Sequence, residues 1–234
     1  YATLIYILMG KELAPQINMS KYIQSSGLIY SFEISGTVEI RRLHAEIYMS
    51  NLFAARLICL YQLLDKKQVE KNVAAIKNQI VQMKYLSIIQ YCTEILLLYN
   101  AHVDIVIIDT IRNFVISHYD SLRCGFLEYT FEDVKRDENK GRLQRFSSDN
   151  LEPSITATYA AITLAMSLKD KELLELIKKH KKEIITFIEN QFNEKIGGYG
   201  CAIKIARMPG MFGDQVTPYE TLIAVKTLEL LSLL

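Results

Sequence analysis

A five-residue pattern recurs at the start of alternate apolar segments: a tyrosine, then a threonine or serine two positions later, then an aliphatic residue two positions after that. It begins at Tyr1, Tyr48, Tyr85 and Tyr219, and in a fifth copy Thr156 takes the place of the tyrosine. Repetition at intervals of a few tens of residues is typical of stacked repeats, each of which buries its apolar face against a neighbour. The pattern therefore predicts a chain built from repeated hairpins.

Turn-forming residues are scarce, which favours helices over strands. The 234 residues include 10 Gly and 4 Pro, whereas an all-β sandwich needs a turn about every 8–12 residues. Apolar residues recur at helical spacing, and polar loops are predicted over 121–153 and 193–218. The predicted helices are Tyr1–Glu12, Ile17–Ser25, Arg42–Leu64, Gln68–Gln82, Tyr85–Tyr99, Asp104–Asp120, Ser154–Leu168, Lys171–Phe192 and Tyr219–Leu233.

The predicted helices alternate in character. Odd-numbered helices are more continuously apolar, whereas even-numbered helices are amphipathic with lysine-rich faces, as over 171–182. A helix that is apolar all round is buried, and an amphipathic helix keeps one side in solvent. We therefore expect an all-α fold with helices 1, 3, 5, 7 and 9 in an inner layer and helices 2, 4, 6 and 8 in an outer layer.

Glycines follow three of the even-numbered helices. Gly27, Gly125 and the pair Gly197-Gly198 each precede an aliphatic or aromatic residue. Because glycine adopts positive φ without steric cost, it commonly ends a helix in the left-handed conformation. We predict a positive φ at a glycine in each of these turns.

These residues resemble the repeat of protein prenyltransferase β subunits and of squalene and terpene cyclases. The similar stretches are residues 153–161, which end in Thr-Ala-Thr-Tyr-Ala-Ala, and residues 197–221, which begin with Gly-Gly-Tyr. The resemblance implies an α/α toroid, a barrel of helical hairpins around an apolar cavity, as a single domain over 1–234. The predicted helices fall short of a closed ring, so we expect an incomplete toroid that a protein partner or a second copy closes. Because the chain begins with Tyr1 rather than methionine, we expect it to be a fragment of a longer chain.

The resemblance does not extend to the metal ligands. Where the zinc-dependent prenyltransferases have an aspartate and a cysteine two residues apart, this sequence has Thr156 and Thr158, and where they have a histidine it has Glu220. A zinc site needs three or four nitrogen, sulfur or oxygen ligands. We therefore expect neither zinc nor another cofactor. The Asp-x-Asp-Asp acid motif of the cyclases does not occur in the sequence.

The resemblance leaves several functions open. In the first hypothesis, the toroid lacks zinc-dependent chemistry and binds an isoprenoid, another apolar molecule or a protein partner. In the alternative, it is an active isoprenoid transferase or cyclase, with Asp214 or Glu220 as a desolvated acid. Arg142 and Arg145 would then bind diphosphate, because Gly141–Arg145 resembles the Gly-Arg-x-x-Lys sequence with which prenyltransferases bind it. A third hypothesis, a helical solenoid adaptor, predicts no cavity.

Four tyrosines near the starts of predicted inner helices are candidate ligand-binding residues: Tyr48, Tyr85, Tyr159 and Tyr219. Their rings either line the apolar cavity and offer hydroxyl groups to a ligand, or pack internally with hydroxyls bonded to a neighbouring turn. Both interpretations remain open from the sequence.

Charge and cysteine usage limit the expected partners and compartment. Lys and Arg number 27 against 26 Asp and Glu, so no overall field favours binding to nucleic acid or anionic lipid. No apolar run approaches the length of about 20 residues that a membrane-spanning helix needs. The four cysteines are scattered, which is typical of a reducing compartment, and we expect a cytoplasmic protein.

Overall fold

The structure, a computed structural model, describes residues 18–29, 40–130, 152–200, 216 and 218–234. Within these ranges the chain is mainly helical, which confirms the predicted all-α class. The elements are a short 3-10 helix (Met19–Tyr22), α1 (Ile40–Tyr61), α2 (Lys66–Gln82), α3 (Leu86–Leu98), α4 (Ile105–Ser117), β1 (Tyr119–Asp120), β2 (Gly125–Phe126), α5 (Ile155–Leu168), α6 (Lys171–Lys179), α7 (Lys181–Glu189), β3 (Phe192–Asn193), β4 (Gly198–Tyr199) and α8 (Pro218–Ser232).

Most predicted helices lie within a few residues of the observed ones, but three predictions need correction. The predicted helix over 17–25 is only the 3-10 helix, because the backbone turns at Gly27 and brings Ile23 opposite Ile29. The helix predicted over 104–120 ends at Ser117, where the chain enters β1. The helix predicted over 171–192 is broken into α6 and α7 at His180. The helix predicted over 1–12 lies outside the described residues.

Side-chain caps explain where α5 and α6 begin. The Ser154 hydroxyl accepts a hydrogen bond from the Ala157 N–H at 3.0 Å, and the Asp170 carboxylate accepts one from the Leu173 N–H at 3.0 Å. Arg112 donates to the same carboxylate at 2.7 Å. This arginine lowers the pKa of Asp170 although burial raises it. Both caps are the serine and aspartate types that satisfy free N–H groups in a first helical turn.

Each of the two long predicted loops begins with a short antiparallel hairpin. Tyr119 pairs with Phe126 and Asp120 with Gly125 in the first hairpin, and the second has the matching pairs 192–199 and 193–198. The strands have two residues each, so they change the connections between helices and leave the fold class unaltered.

The predicted glycine conformation is correct at two turns and wrong at the third. Gly27 and Gly197 have positive φ angles of 90° and 74°, but in the middle turn the residue with positive φ is Cys124, at 61°. Gly125 is required there for space, because an added Cβ would lie 2.7 Å from the Cβ of Pro153 and 3.0 Å from the ring of Phe187.

The chain divides into two compact units. The described residues of the first compact unit lie within 1–79 and 94–102, and those of the second lie within 80–93 and 103–234. In the first, Met19 and Ile29 pack with Ala54 and Ile58 of α1. In the second, α5 packs against α8 and α6. The single domain expected over 1–234 stays a prediction.

Burial differs sharply between α5 and α6. Most of α5 is buried, including Thr158, whereas α6 buries only Leu173 and Ile177. This is the contrast that the sequence predicted between odd- and even-numbered helices. No helix within the described ranges is both long and apolar enough to cross a membrane.

Candidate functional site

The start of α5 is held by the turn between β1 and β2. The Phe126 N–H donates to the Thr158 hydroxyl at 3.1 Å, and that hydroxyl donates to the Ser154 carbonyl at 2.8 Å. The Ser154 N–H in turn donates to the Phe126 carbonyl at 3.0 Å. We call this arrangement a turn clamp: a backbone N–H just after a turn donates to a side-chain oxygen near the start of the next long helix.

A second turn clamp holds the start of α8. The Tyr199 N–H, one residue after Gly198, donates to the Thr221 hydroxyl at 3.1 Å. Thr158 and Thr221 are the third residues of two copies of the sequence pattern. At these two positions the pattern therefore reflects a backbone contact, a role that the repeat alone did not reveal.

In the first compact unit an asparagine takes the place of the threonine. The Ile29 N–H donates to Asn51 Oδ1 at 2.8 Å, and Asn51 Nδ2 donates to the Ile47 carbonyl at 2.8 Å. An amide, like a hydroxyl, both accepts and donates. The contact uses Asn51 rather than Ser50, the third residue of the predicted copy, so the structural repeat is shifted by one residue from the sequence pattern here.

The start of α3 is held instead by a carboxyl group from the segment after β2. The Leu86 N–H donates to the Glu128 carbonyl at 3.0 Å, and the Ser87 N–H donates to Glu128 Oε1 at 3.0 Å. The Ser87 hydroxyl also donates to Oε1. Burial raises the pKa of Glu128 to about 7, although both hydrogen bonds from Ser87 lower it.

Glu128 is the strongest acid–base candidate that the sequence reasoning missed. A carboxyl group that titrates near neutral pH can both give and take a proton under physiological conditions. Tyr129 follows Glu128 in the chain, and its ring packs edge to face against the ring of Tyr85, with centroids 5.9 Å apart. The one sequence signal for this contact was Ser87, the third residue of the five-residue pattern that begins at Tyr85. Its partner Glu128 lies 41 residues later and belongs to no repeated pattern.

The four predicted tyrosines have different surroundings. Tyr48, in the first compact unit, is buried, and its hydroxyl donates to Gln79 Oε1 at 2.6 Å, which favours the packing interpretation there. Tyr85, Tyr159 and Tyr219 belong to the second compact unit. Tyr85 and Tyr159 are half-buried, and Tyr219 is exposed at the start of α8. Ligand binding by these three stays a prediction.

The predicted acids and arginines are only partly visible. Glu220 is half-buried in the first turn of α8. Asp214, Arg142 and Arg145 lie outside the described residues, so their roles as an acid and as diphosphate-binding groups stay predictions.

Two helices of the second compact unit each leave one stripe accessible. On α5 the half-buried residues recur at intervals of three or four: Thr156, Tyr159, Thr163 and Met166. On α8 the exposed stripe has three large apolar side chains: Tyr219, Leu222 and Val225. Residues at this spacing share one helix face. Both stripes can therefore contact an apolar ligand or partner.

Within the described ranges, no three or more His, Cys, Asp or Glu side chains are grouped so that they could hold a metal ion. No protein-family model, curated protein or solved structure matches the chain.

Proposed function

We propose that the chain is an incomplete α/α toroid module, similar in its repeat to prenyltransferase β subunits and terpene cyclases, that binds an isoprenoid-like apolar ligand. The turn clamp repeated at α5 and α8 carries the proposal. In both copies a glycine precedes an aromatic residue whose N–H donates to a threonine of the following helix. Repeats with a shared backbone contact stack their hairpins in register, which is how a toroid is built.

The stripes on α5 and α8 supply the ligand surface in this proposal. Their residues combine tyrosine, methionine and aliphatic side chains, which form adaptable apolar pockets with a few hydroxyl groups. Tyr159 and Tyr219 contribute an apolar ring and a polar end. In the proposed toroid both helices belong to the inner layer, so the stripes line the central cavity.

Thr158 supports a binding module over a zinc-dependent transferase. It occupies the position that resembles the cysteine ligand of the zinc enzymes, but its hydroxyl already accepts from Phe126 and donates to Ser154. A buried hydroxyl with both roles filled is a poor metal ligand, since binding would break two hydrogen bonds.

Glu128 favours a second candidate function, an active isoprenoid transferase or cyclase. Its carboxyl group has the raised pKa that an acid catalyst requires at neutral pH. In that case Glu128 joins Asp214 and Glu220 as a candidate acid. Turnover of a polyprenyl diphosphate that is lost in Glu128→Gln would favour this second function.

A titration with farnesol and with farnesyl diphosphate tests the proposal. The chain has 14 Tyr and no Trp, so tyrosine fluorescence reports binding. The test variant is Leu222→Gln on α8, and the matched control is Val81→Gln on α2; these side chains are 52% and 60% exposed. We expect Leu222→Gln to raise the Kd by about tenfold, because it removes one apolar side chain from the ligand surface, while the control has no effect.

The result also separates ligand binding from partner binding. Saturable binding that only Leu222→Gln weakens supports the proposal. Without saturable binding of either isoprenoid, the proposal is wrong. A dimer in analytical ultracentrifugation that Leu222→Gln dissociates would show instead that a second copy covers the stripe on α8.

A further inference from the structure

The corner between α6 and α7 carries five consecutive basic residues, Lys178-Lys179-His180-Lys181-Lys182. Lys178, Lys179 and Lys182 are exposed. None of the four lysines takes part in an ion pair in the part of the chain that the structure describes. Although the overall charge is close to balanced, this corner, which we call the basic corner, is locally positive.

The basic corner contacts the first hairpin, β1–β2, through one pair of rings. The His180 ring lies against the Tyr119 ring, with centroids 4.7 Å apart. Two carboxylates, Glu175 and Glu183, lie within about one helical turn of the lysines. Four lysines outnumber these two carboxylates, so the corner keeps a net positive charge.

The tip of the same hairpin exposes a large apolar side chain. Leu122 is 92% exposed, more than any other large apolar residue in the described ranges. It follows Tyr119 by three residues, so their Cα atoms are at most about 11 Å apart. Arg123, beside it, is also exposed and bonds to Asp120 at 3.1 Å. The hairpin that contacts the basic corner through Tyr119 thus also carries an apolar side chain in water.

We infer that the basic corner and Leu122 form a peripheral docking surface for an anionic phospholipid bilayer. Lysines act as hydrated point charges and suit a diffuse anionic surface better than bidentate recognition of one phosphate. The exposed leucine favours lipid over nucleic acid, because its side chain can enter the boundary between headgroups and acyl chains. The surface does not depend on the proposed isoprenoid ligand.

Vesicle co-sedimentation of the full chain tests the inference. Phosphatidylcholine vesicles with and without one-fifth phosphatidylserine are compared at 0.1 M salt. The test variant is Lys178→Gln/Lys179→Gln/Lys182→Gln. The control, Lys66→Gln/Lys67→Gln/Lys71→Gln on α2, removes the same charge from three other exposed lysines.

We expect binding that requires phosphatidylserine and falls about 100-fold in the test variant, since each of its three lysines is worth about fivefold near an anionic surface. The control should lose less than about twofold. Leu122→Gln should weaken binding about fivefold without lowering stability, because its side chain is in solvent. Equal losses in both triple variants would overturn the inference, as would binding to duplex DNA that matches vesicle binding while Leu122→Gln changes neither.

Discussion

The two hairpins of the second compact unit have the same backbone conformation at the turn but differ in side chains and burial. In each, the second residue of the first strand accepts hydrogen bonds from the turn that follows: Asp120 from the N–H groups of 122 and 123, and Asn193 from those of 195 and 196. The fourth turn residue has positive φ in both, although it is Cys124 in one and Gly197 in the other. A polar cap and one left-handed residue thus define this turn.

Burial is what separates the two hairpins. Gly125 and Phe126 are buried, and Gly125 lies against the buried side chains of Pro153 and Phe187. Gly198 is buried too, but Tyr199 is half-buried and the side chains against Gly198, those of Val216 and Thr221, are half-buried. Tightly packed groups cannot move aside for an added atom. The same turn should therefore tolerate substitution less well at β1–β2 than at β3–β4.

Adding one methyl group to each hairpin should give the largest difference. Gly125→Ala places a Cβ 2.7 Å from the Pro153 Cβ, and we expect a loss of about 3 kcal/mol in the free energy of unfolding. Gly198→Ala places a Cβ 2.5 Å from Val216 Cγ1 and 2.8 Å from Thr221 Oγ1. These half-buried side chains can shift, but a shift of Thr221 weakens its hydrogen bond with the Tyr199 N–H, so we expect a loss of about 1.5 kcal/mol in the free energy of unfolding. Urea unfolding measures both values. Equal losses would show that burial does not distinguish the turns.

Removing the clamp hydroxyls should give the next largest effect. Thr158→Val leaves the buried N–H of Phe126 without its acceptor, and we expect a loss of about 2 kcal/mol. Thr221→Val should lower the free energy of unfolding by about 1 kcal/mol. The loss is smaller because Tyr199 is half-buried, so water can replace the lost acceptor of its N–H more easily. Thr163→Val is the matched control on α5, since the Thr163 hydroxyl has no partner among the described residues. A loss in the control as large as in Thr158→Val would contradict a specific role for the clamp.

The start of α3 differs from the starts of α5 and α8 in the group that holds it. An ionisable carboxyl group bonds to α3, whereas threonine hydroxyls of α5 and α8 bond to the turns before them. Glu128 has a folded-state pKa of about 7, above the usual value of 4.5. Its contribution to stability is therefore fully present below about pH 4.5 and is lost as the pH rises through 7. We expect Glu128→Gln to remove about 1.5 kcal/mol of this pH dependence, allowing for partial exposure.

Urea unfolding between pH 5 and pH 8 measures the effect of Glu128. The wild-type chain should lose stability across this range relative to Glu128→Gln, which carries no titrating group at this position. Thr158→Val should keep the wild-type pH dependence, because its hydroxyl does not titrate. Parallel profiles for wild type and Glu128→Gln would contradict the raised pKa.

The sequence predicted features that depend on neighbouring residues better than those that depend on distant ones. Apolar spacing located most of the helices, because this signal acts within one or two helical turns. The partnership of Ser87 with Glu128 joins residues 41 apart and leaves no periodic trace. The turn at Cys124 was missed for another reason: the glycine expected to adopt positive φ is needed for space, and its neighbour adopts that conformation instead.

The smallest predicted effect tests that division of roles between neighbouring turn residues. Cys124→Gly should stabilise the chain by about 0.5 kcal/mol, because relief of the left-handed strain exceeds the added entropy of the unfolded chain. Gly197→Ala should destabilise it by about 1 kcal/mol through conformation alone, since among the described residues no atom beyond Gly197 and its chain neighbours lies within 4 Å of the added Cβ. Thermal unfolding of both variants checks the opposite signs. If Cys124→Gly lowers the Tm, the cysteine side chain stabilises the turn beyond its backbone conformation, and the two hairpins differ in more than burial.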